Sequence, residues 1–337
     1  MSNLYGYGRK KCNFAIRSTH MLSGGFLRKN ERPVFMSKIN LKGIGVALIT
    51  PFKKDKSVDF DALGRLIDYQ IDGGIDYLVA LGTTAETPTL TRDEQTEIVR
   101  FIVERNNNRL PLIVGVGGNN TAEIVHELKV SYFSNIAAVL SVTPYYNKPS
   151  QEGLFQHYRA LSEVSPRPII LYNVPGRTGV NMEAETTLRL AKSCPNIVAI
   201  KEASGKMNQI KQIIADCPEE FSVISGDDGI AFDLIKAGGV GVISVLGNAL
   251  PKEFSEMIHQ ALAGNLQKAE TGNIRFIEAI RLLFKDGNPA GVKCMLSAMG
   301  YIENELRLPL VAVCDETKQQ IIEELERLKV QVTDKKS

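Results

Sequence analysis

Residues 168–202 read PIILYNVPGRTGVNMEAETTLRLAKSCPNIVAIKE, and the two ends of this stretch are alike. Pro168–Asn173 and Ile197–Glu202 are short apolar runs whose starts lie 29 residues apart. Each is long enough for a buried strand and too short for a helix. Neither shows polar alternation, as expected of parallel strands covered on both faces. Six further runs of this kind occur at Ile44–Thr50, Asp76–Leu81, Pro111–Val116, Ala137–Val142, Phe221–Ser225 and Val240–Val245, and successive starts are 19 to 35 residues apart. Amphipathic stretches separate them. Phe60, Leu63, Ile67 and Ile71 fall on one helix face. Asp59 is placed to cap that helix and Gly73-Gly74 to stop it. Thr91 and Glu94 read as a capping box for the next helix. Eight such units predict an α/β chain folded as a (β/α)8 TIM barrel over 37–263, because a doubly wound open sheet usually has fewer strands. Beyond 263 the strand-like runs end. The stretches 264–285, 289–299 and 314–329 read as helices, which predicts a C-terminal helical extension over 264–330.

Charge is unevenly placed along the chain. Residues 1–36 carry seven Lys/Arg against Glu31 alone, a balance of +6, which leaves −4 on the other 301 residues. A mildly acidic body argues against nucleic acid as the main partner. No apolar run approaches the roughly 18 residues of a membrane-spanning helix, so no membrane partner is expected. The basic segment 1–36 shows no amphipathic period and no secretory apolar core. Its Arg-rich, acid-poor composition suits an organelle transit peptide, but Ser is sparse. A non-folding or mis-started leader is preferred, with Met36 a sensible first residue. The five cysteines form no CxxC pair, and the four histidines form no HxxxH or HExxH element. Reduced thiols in a reducing compartment, taken as the cytoplasm, and no dedicated metal site are therefore expected.

In a barrel of this class the reacting groups gather at the C-terminal strand ends. Lys201 closes the apolar run Ile197–Ile200, so its stem begins inside the barrel. Lysine is almost never fully buried unless paired or functional. Burial disfavours an ammonium, and a neutral amine attacks a carbonyl to form a Schiff base that then serves as an electron sink. The alternative is a lysine salt-bridged to a neighbouring strand carboxylate. Schiff-base chemistry also needs a proton shuttle. Tyr172, Tyr146 and Thr83 stand at strand ends where their hydroxyls can meet, although each taken singly reads as a packed or capping residue. An aldol reaction without a metal requires an amine, which favours this set. Arg177, in a Gly-rich turn, suits bidentate binding of a carboxylate or is simply a surface arginine. Gly115-Val116-Gly117-Gly118 is not GxGxxG, since Asn120 fills the last position, and Asp227-Asp228 read as caps of the helix after the seventh strand.

Six motifs carry a resemblance from about Lys42 to Val313. They are GTTAE (82–86), VTPYYNKPSQEGL (142–154), LYNVPGRTG (171–179), IKEASG (200–205), SGDD (225–228) and GVISV (241–245), and LRLPL (306–310) joins them. The chain resembles the dihydrodipicolinate synthase (4-hydroxy-tetrahydrodipicolinate synthase) family, within the N-acetylneuraminate lyase superfamily of class I aldolases. The resemblance implies condensation of pyruvate with L-aspartate 4-semialdehyde in the diaminopimelate route to lysine. It implies no cofactor beyond the covalent lysine–pyruvate imine. By matching position, Lys201 would form the imine and Tyr172 would be the general acid/base. Thr83 and Tyr146 would complete the relay, Tyr146 reaching the neighbouring subunit of a tight dimer within a homotetramer. Thr84, Ile243 and Gly226 would line the pyruvate site, and Arg177 would hold the semialdehyde carboxylate. Another pyruvate-dependent aldolase, a sialic acid or 2-keto-3-deoxy sugar acid lyase, would use the same lysine and tyrosine but usually lacks the arginine of the RTG turn. A non-catalytic sensor or scaffold on the same fold is a further alternative.

The resemblance departs in two places. Ala85 replaces the second glycine of the family's usual GTTGE, and a negative φ is expected there so that Ala is tolerated. A lysine effector site would match Thr87, Pro88, Arg92, Gln95, Asn119, Glu123 and Tyr145. Arg92 and Gln95 stand where responsive relatives commonly carry histidines, which predicts a weaker response. Glu123 is either the carboxylate that meets the effector's ammonium or part of a helix cap with Asn120.

Overall fold

The computed structural model describes residues 39–131, 133–330 and 332. The expected leader, 1–36, lies outside the described residues. Eight strands form a closed, wholly parallel barrel in sequence order. They are β1 Gly43–Ala47, β2 Tyr77–Ala80, β3 Leu112–Gly115, β4 Ala138–Val142, β5 Ile169–Asn173, β6 Ile197–Glu202, β7 Ser222–Ser225 and β8 Gly241–Ser244. Around them run α1 Phe60–Asp72, α2 Arg92–Asn106, α3 Thr121–Val130, α4 Gln151–Val164, α5 Pro175–Thr178, α6 Ala184–Ser193, α7 Met207–Asp216, α8 Ala231–Lys236 and α9 Pro251–Leu262. Three more helices follow: α10 Leu266–Lys285, α11 Ala290–Ala298 and α12 Asp315–Arg327. Each strand lies within the expected run or starts one residue before it. The expected strands overshoot by up to three residues, because apolar character continues into the mouth loops after strand pairing stops.

Local chemistry sets the helix starts. Asp59 accepts from the N–H of Ala62 at 3.0 Å, and the chain leaves α1 through Gly73 and the positive φ of Gly74. Thr91 and Glu94 form the reciprocal capping box at the start of α2. Two apolar layers then hold the barrel. Tyr77, Val79, Ile113, Leu140, Ile170, Ala199, Ile224 and Ile243 fill its interior. Ile44, Leu78, Leu112, Leu171 and Ile200 face outward and pack with helix residues such as Leu63, Ile67, Leu154 and Ile210. Successive strand residues take opposite sides, so Ala199 and Lys201 point inward while Ile200 points out.

Closure between β1 and β8 requires glycine. Gly241 sits at φ +151°, and a Cβ there would lie 1.8 Å from the carbonyl oxygen of Gly43. Beyond the barrel, α10 packs against α9 with Phe276 edge-on to Phe254 at 5.7 Å. Among the described residues, no helix is long and apolar enough to cross a membrane.

Candidate active site at the barrel mouth

The pairing of β5 with β6 shifts register between Ile169 and Ile170, and beyond that irregularity Tyr172 stands directly opposite Lys201. Both side chains therefore point into the barrel at the same height. Lys201 Nζ lies 4.4 Å from the centre of the Tyr172 ring. Lys201 is only 5% exposed, yet among the described residues its amine has no carboxylate partner and no hydrogen bond. The salt-bridged alternative is set aside on that geometry. Its strand neighbour Glu202 faces the other way, where neutral donors satisfy it: Asn173 Nδ2 at 3.2 Å, Gln209 Nε2 at 3.1 Å and the N–H of Ser204 at 2.8 Å.

Gly226 supplies the space beside the lysine. A Cβ on it would sit 3.0 Å from Lys201 Cε, 3.1 Å from Lys201 Cγ and 2.7 Å from Ala203 Cβ. Ile243 is fully buried at the end of β8, within the interior cluster that also holds Tyr172. Thr83 and Thr84 occupy a 3-10 turn directly after β2, Thr83 half-buried and Thr84 buried. Ala85 is not among the residues with positive φ; the left-handed position of this turn is Glu86, at φ +56°. The expectation for Ala85 is met.

Sequence reasoning missed Asn288. Its Nδ2 donates to Thr84 Oγ1 at 3.0 Å, and its carbonyl accepts from Arg177 Nη2 at 3.4 Å. Asn288 thus links the two residues expected to hold the substrates' carboxylates. The Gly287-Asn288-Pro289 turn was the available signal, but nothing in local spacing points it at the mouth. Arg177 is exposed on α5, a short helix where the sequence suggested only a turn.

Tyr146 is not brought into the mouth of its own barrel. It is 88% exposed and held in the left-handed region at φ +72°. The aspartate pair also divides. Asp227 caps a 3-10 turn through the N–H of Gly229 at 2.8 Å. Asp228 does not cap the following helix as expected. It turns inward to accept from the N–H groups of Val245 at 3.0 Å and Leu246 at 2.8 Å, fixing the turn after β8. Burial pushes its carboxyl up to about 6.

The expected effector residues are only partly assembled. Arg92, Gln95 and Glu123 line one cavity of ≈ 1090 Å3 between α2 and α3, floored by Leu81, Val114 and Val116. Arg92 is engaged by Glu127 at 2.9 Å. Asn120 caps α3 through the N–H of Ala122 at 3.1 Å, without the reciprocal bond from Glu123. Thr87 donates to the carbonyl of Gly82 at 2.9 Å, while Pro88, Asn119 and Tyr145 are exposed.

A closed parallel barrel with a buried, unpaired lysine facing a tyrosine at the strand ends is the arrangement expected of a lyase of the class I aldolase type. The chain belongs to the Dihydrodipicolinate synthetase family, whose model matches residues 40–328. It is 58% identical over 295 residues to the 4-hydroxy-tetrahydrodipicolinate synthase of Parabacteroides distasonis, covering 88% of this chain and 99% of that one. It is 60% identical over 276 residues to the enzyme of the same name from Phocaeicola vulgatus, covering 82% and 93%. Among solved structures, the dihydrodipicolinate synthase of Aquifex aeolicus superposes with a TM-score of 0.84 at 39% identity, over 87% of this chain and all of that one. The dihydrodipicolinate synthase of Cyanidioschyzon merolae, solved with lysine bound, gives 0.83 at 35% identity, over 86% and 99%.

Proposed function

We propose that the chain condenses pyruvate with L-aspartate 4-semialdehyde through an imine on Lys201, the activity named in its relatives. The observation that carries this is Lys201 itself: a buried amine with no carboxylate partner, beside Tyr172 and next to the space left by Gly226. The amine adds to the keto carbon of pyruvate, and water leaves as the imine forms. Loss of a methyl proton gives the enamine, whose carbon attacks the aldehyde. The new alkoxide takes a proton. The amino group of the second substrate then attacks the imine carbon, closes the ring and releases Lys201. Tyr172 is the group placed to carry these protons, with Thr83 extending the relay.

Thr84 and the end of β8 near Ile243 receive the pyruvate carboxylate, with Gly226 leaving room beside the imine. Arg177 receives the carboxylate of the semialdehyde. A neutral sugar has no carboxylate for Arg177 to meet, which favours this reading over a sugar acid lyase. The exposure of Tyr146 supports a relay completed across a tight dimer, two of which would form a tetramer. The chain then needs no cofactor, the imine being its electron sink. The cavity lined by Arg92, Gln95 and Glu123 supports a lysine effector site at its rim, with Thr87, Pro88, Asn119 and Tyr145 nearby in sequence.

The test is a coupled assay with pyruvate and L-aspartate 4-semialdehyde, run beside N-acetylneuraminate cleavage. Turnover of the first pair alone is expected. Cleavage of the sugar without condensation would overturn the assignment.

A further inference from the structure

The turn that carries Thr83 and Thr84 is held from the far end of the chain. Glu86 and Lys293 are both fully buried and joined as an ion pair, although they lie 207 residues apart. The other carboxylate oxygen of Glu86 accepts from the N–H of Arg307 at 3.0 Å. Lys293 Nζ also donates to the carbonyl of Glu305 at 2.9 Å and sits 4.1 Å from the centre of the Phe52 ring. Lys293 is the lone charge on α11, a helix otherwise built of Ala290, Val292, Cys294, Met295 and similar buried residues. A lone lysine on an apolar helix is the anomaly that a sequence reading should have singled out.

Stability alone gives little reason for such a pair. Replacing a buried ion pair by packed apolar side chains is often neutral or stabilising, because removing both charges from water is costly. What the pair does hold is a backbone position. Glu86 adopts φ +56°, uncommon for a residue with a side chain. It closes the turn by donating its N–H to the carbonyl of Thr83 at 3.2 Å, while Thr50 Oγ1 donates to the carbonyl of Ala85 at 2.8 Å. Glu86 cannot move without moving Thr83 and Thr84. Asn288 fixes the same turn through Thr84 Oγ1.

We propose that the Glu86–Lys293 pair, with the Asn288–Thr84 hydrogen bond, is a positioning device for pyruvate that makes the C-terminal extension part of the working site. This rests on the imine reading above, and it concerns how the carboxylate end of pyruvate is presented to Lys201. The pair touches no reacting atom. Arg177, on a separate helix, presents the second substrate.

The test is the double variant Glu86→Gln/Lys293→Met, which removes both charges and leaves neither buried alone. A second variant, Asn288→Leu, removes the donor to Thr84 without adding a charge beside Thr84 or Arg177 and leaves the backbone carbonyl that Arg177 meets. For each, melting temperature, the KM of both substrates and the rate of borohydride inactivation with subsaturating pyruvate are compared with wild type. The KM for pyruvate should rise and trapping should slow by about tenfold, as expected of a displaced binding group, with the KM for the semialdehyde within about twofold. Should the double variant fail to fold, Asn288→Leu must show the same split. A folded variant with unchanged pyruvate KM and trapping would overturn the positioning role while leaving the imine reading intact. Absence of trapping in the wild type would overturn both.

Discussion

Gly226 offers the sharpest perturbation of the mouth, because adding one methyl group there acts on Lys201 directly. Its φ is outside the left-handed range, so alanine is sterically feasible for the backbone itself. The added Cβ would stand 3.0 Å from Lys201 Cε and 2.7 Å from Ala203 Cβ, where ordinary contact begins at 3.4 Å. Neighbours must therefore give way by 0.4 Å at the lysine and 0.7 Å at Ala203. Overpacking of this kind costs about 1–3 kcal/mol of stability. A misplacement of about 1 Å near reacting groups costs roughly a hundredfold in rate, so about half that displacement implies roughly tenfold. Gly226→Ala should thus remain folded, melt a few degrees lower and form the pyruvate imine about tenfold more slowly. The assay is the rate of borohydride inactivation at fixed pyruvate, alongside a thermal melt. An unchanged trapping rate in the folded variant would show that the vacancy at Gly226 does not set the position of the amine.

Arg177→Lys keeps the charge but loses the planar fork, so semialdehyde turnover should fall by tenfold to a hundredfold, about 1.5–3 kcal/mol, while imine formation survives. Equal loss of both steps would assign Arg177 to the fold. At the opposite end of the barrel, His259 Nε2 lies 2.8 Å from Asp76 Oδ2, which also accepts from the N–H of Ile44 at 2.7 Å. The hydrogen bond that His259 donates to the Asp76 carboxylate raises the His259 pKa above the usual histidine value. A raised folded pKa contributes stability that is complete below the unfolded value and is lost as pH rises through the folded one. Urea midpoints of wild type and His259→Asn should therefore differ most near about pH 6 and converge in alkaline buffer; a constant difference would contradict this. Millimolar L-lysine should lower the initial rate of the wild type and have less effect on Glu123→Ala; a wild-type rate indifferent to lysine would remove the effector site.

Much of the fold was legible because short, fully apolar runs recur at a spacing that leaves room for one helix each. Asp59, Thr91 and Glu94 were readable for a related reason: a cap acts on N–H groups two or three residues away. Lys201 was legible as an anomaly, a charge ending an apolar strand. What escaped depends on contacts between distant segments. The register shift at Ile169 that sets Tyr172 opposite Lys201 leaves no mark in composition. Asn288 meets Thr84 across 204 residues and Lys293 meets Glu86 across 207, so no window of sequence contains either pair. Asp227 and Asp228 are adjacent and chemically identical, yet one caps its own turn while the other crosses to β8.

Everything proposed for the barrel mouth depends on Lys201 being the nucleophile. Wild-type protein treated with borohydride in the presence of saturating pyruvate, then digested and analysed by mass spectrometry, addresses it directly. Inactivation that requires pyruvate, with a single reduced pyruvate adduct on the peptide containing Lys201, is the expected result. An adduct on another residue, or full activity and no adduct after the same treatment, would contradict it.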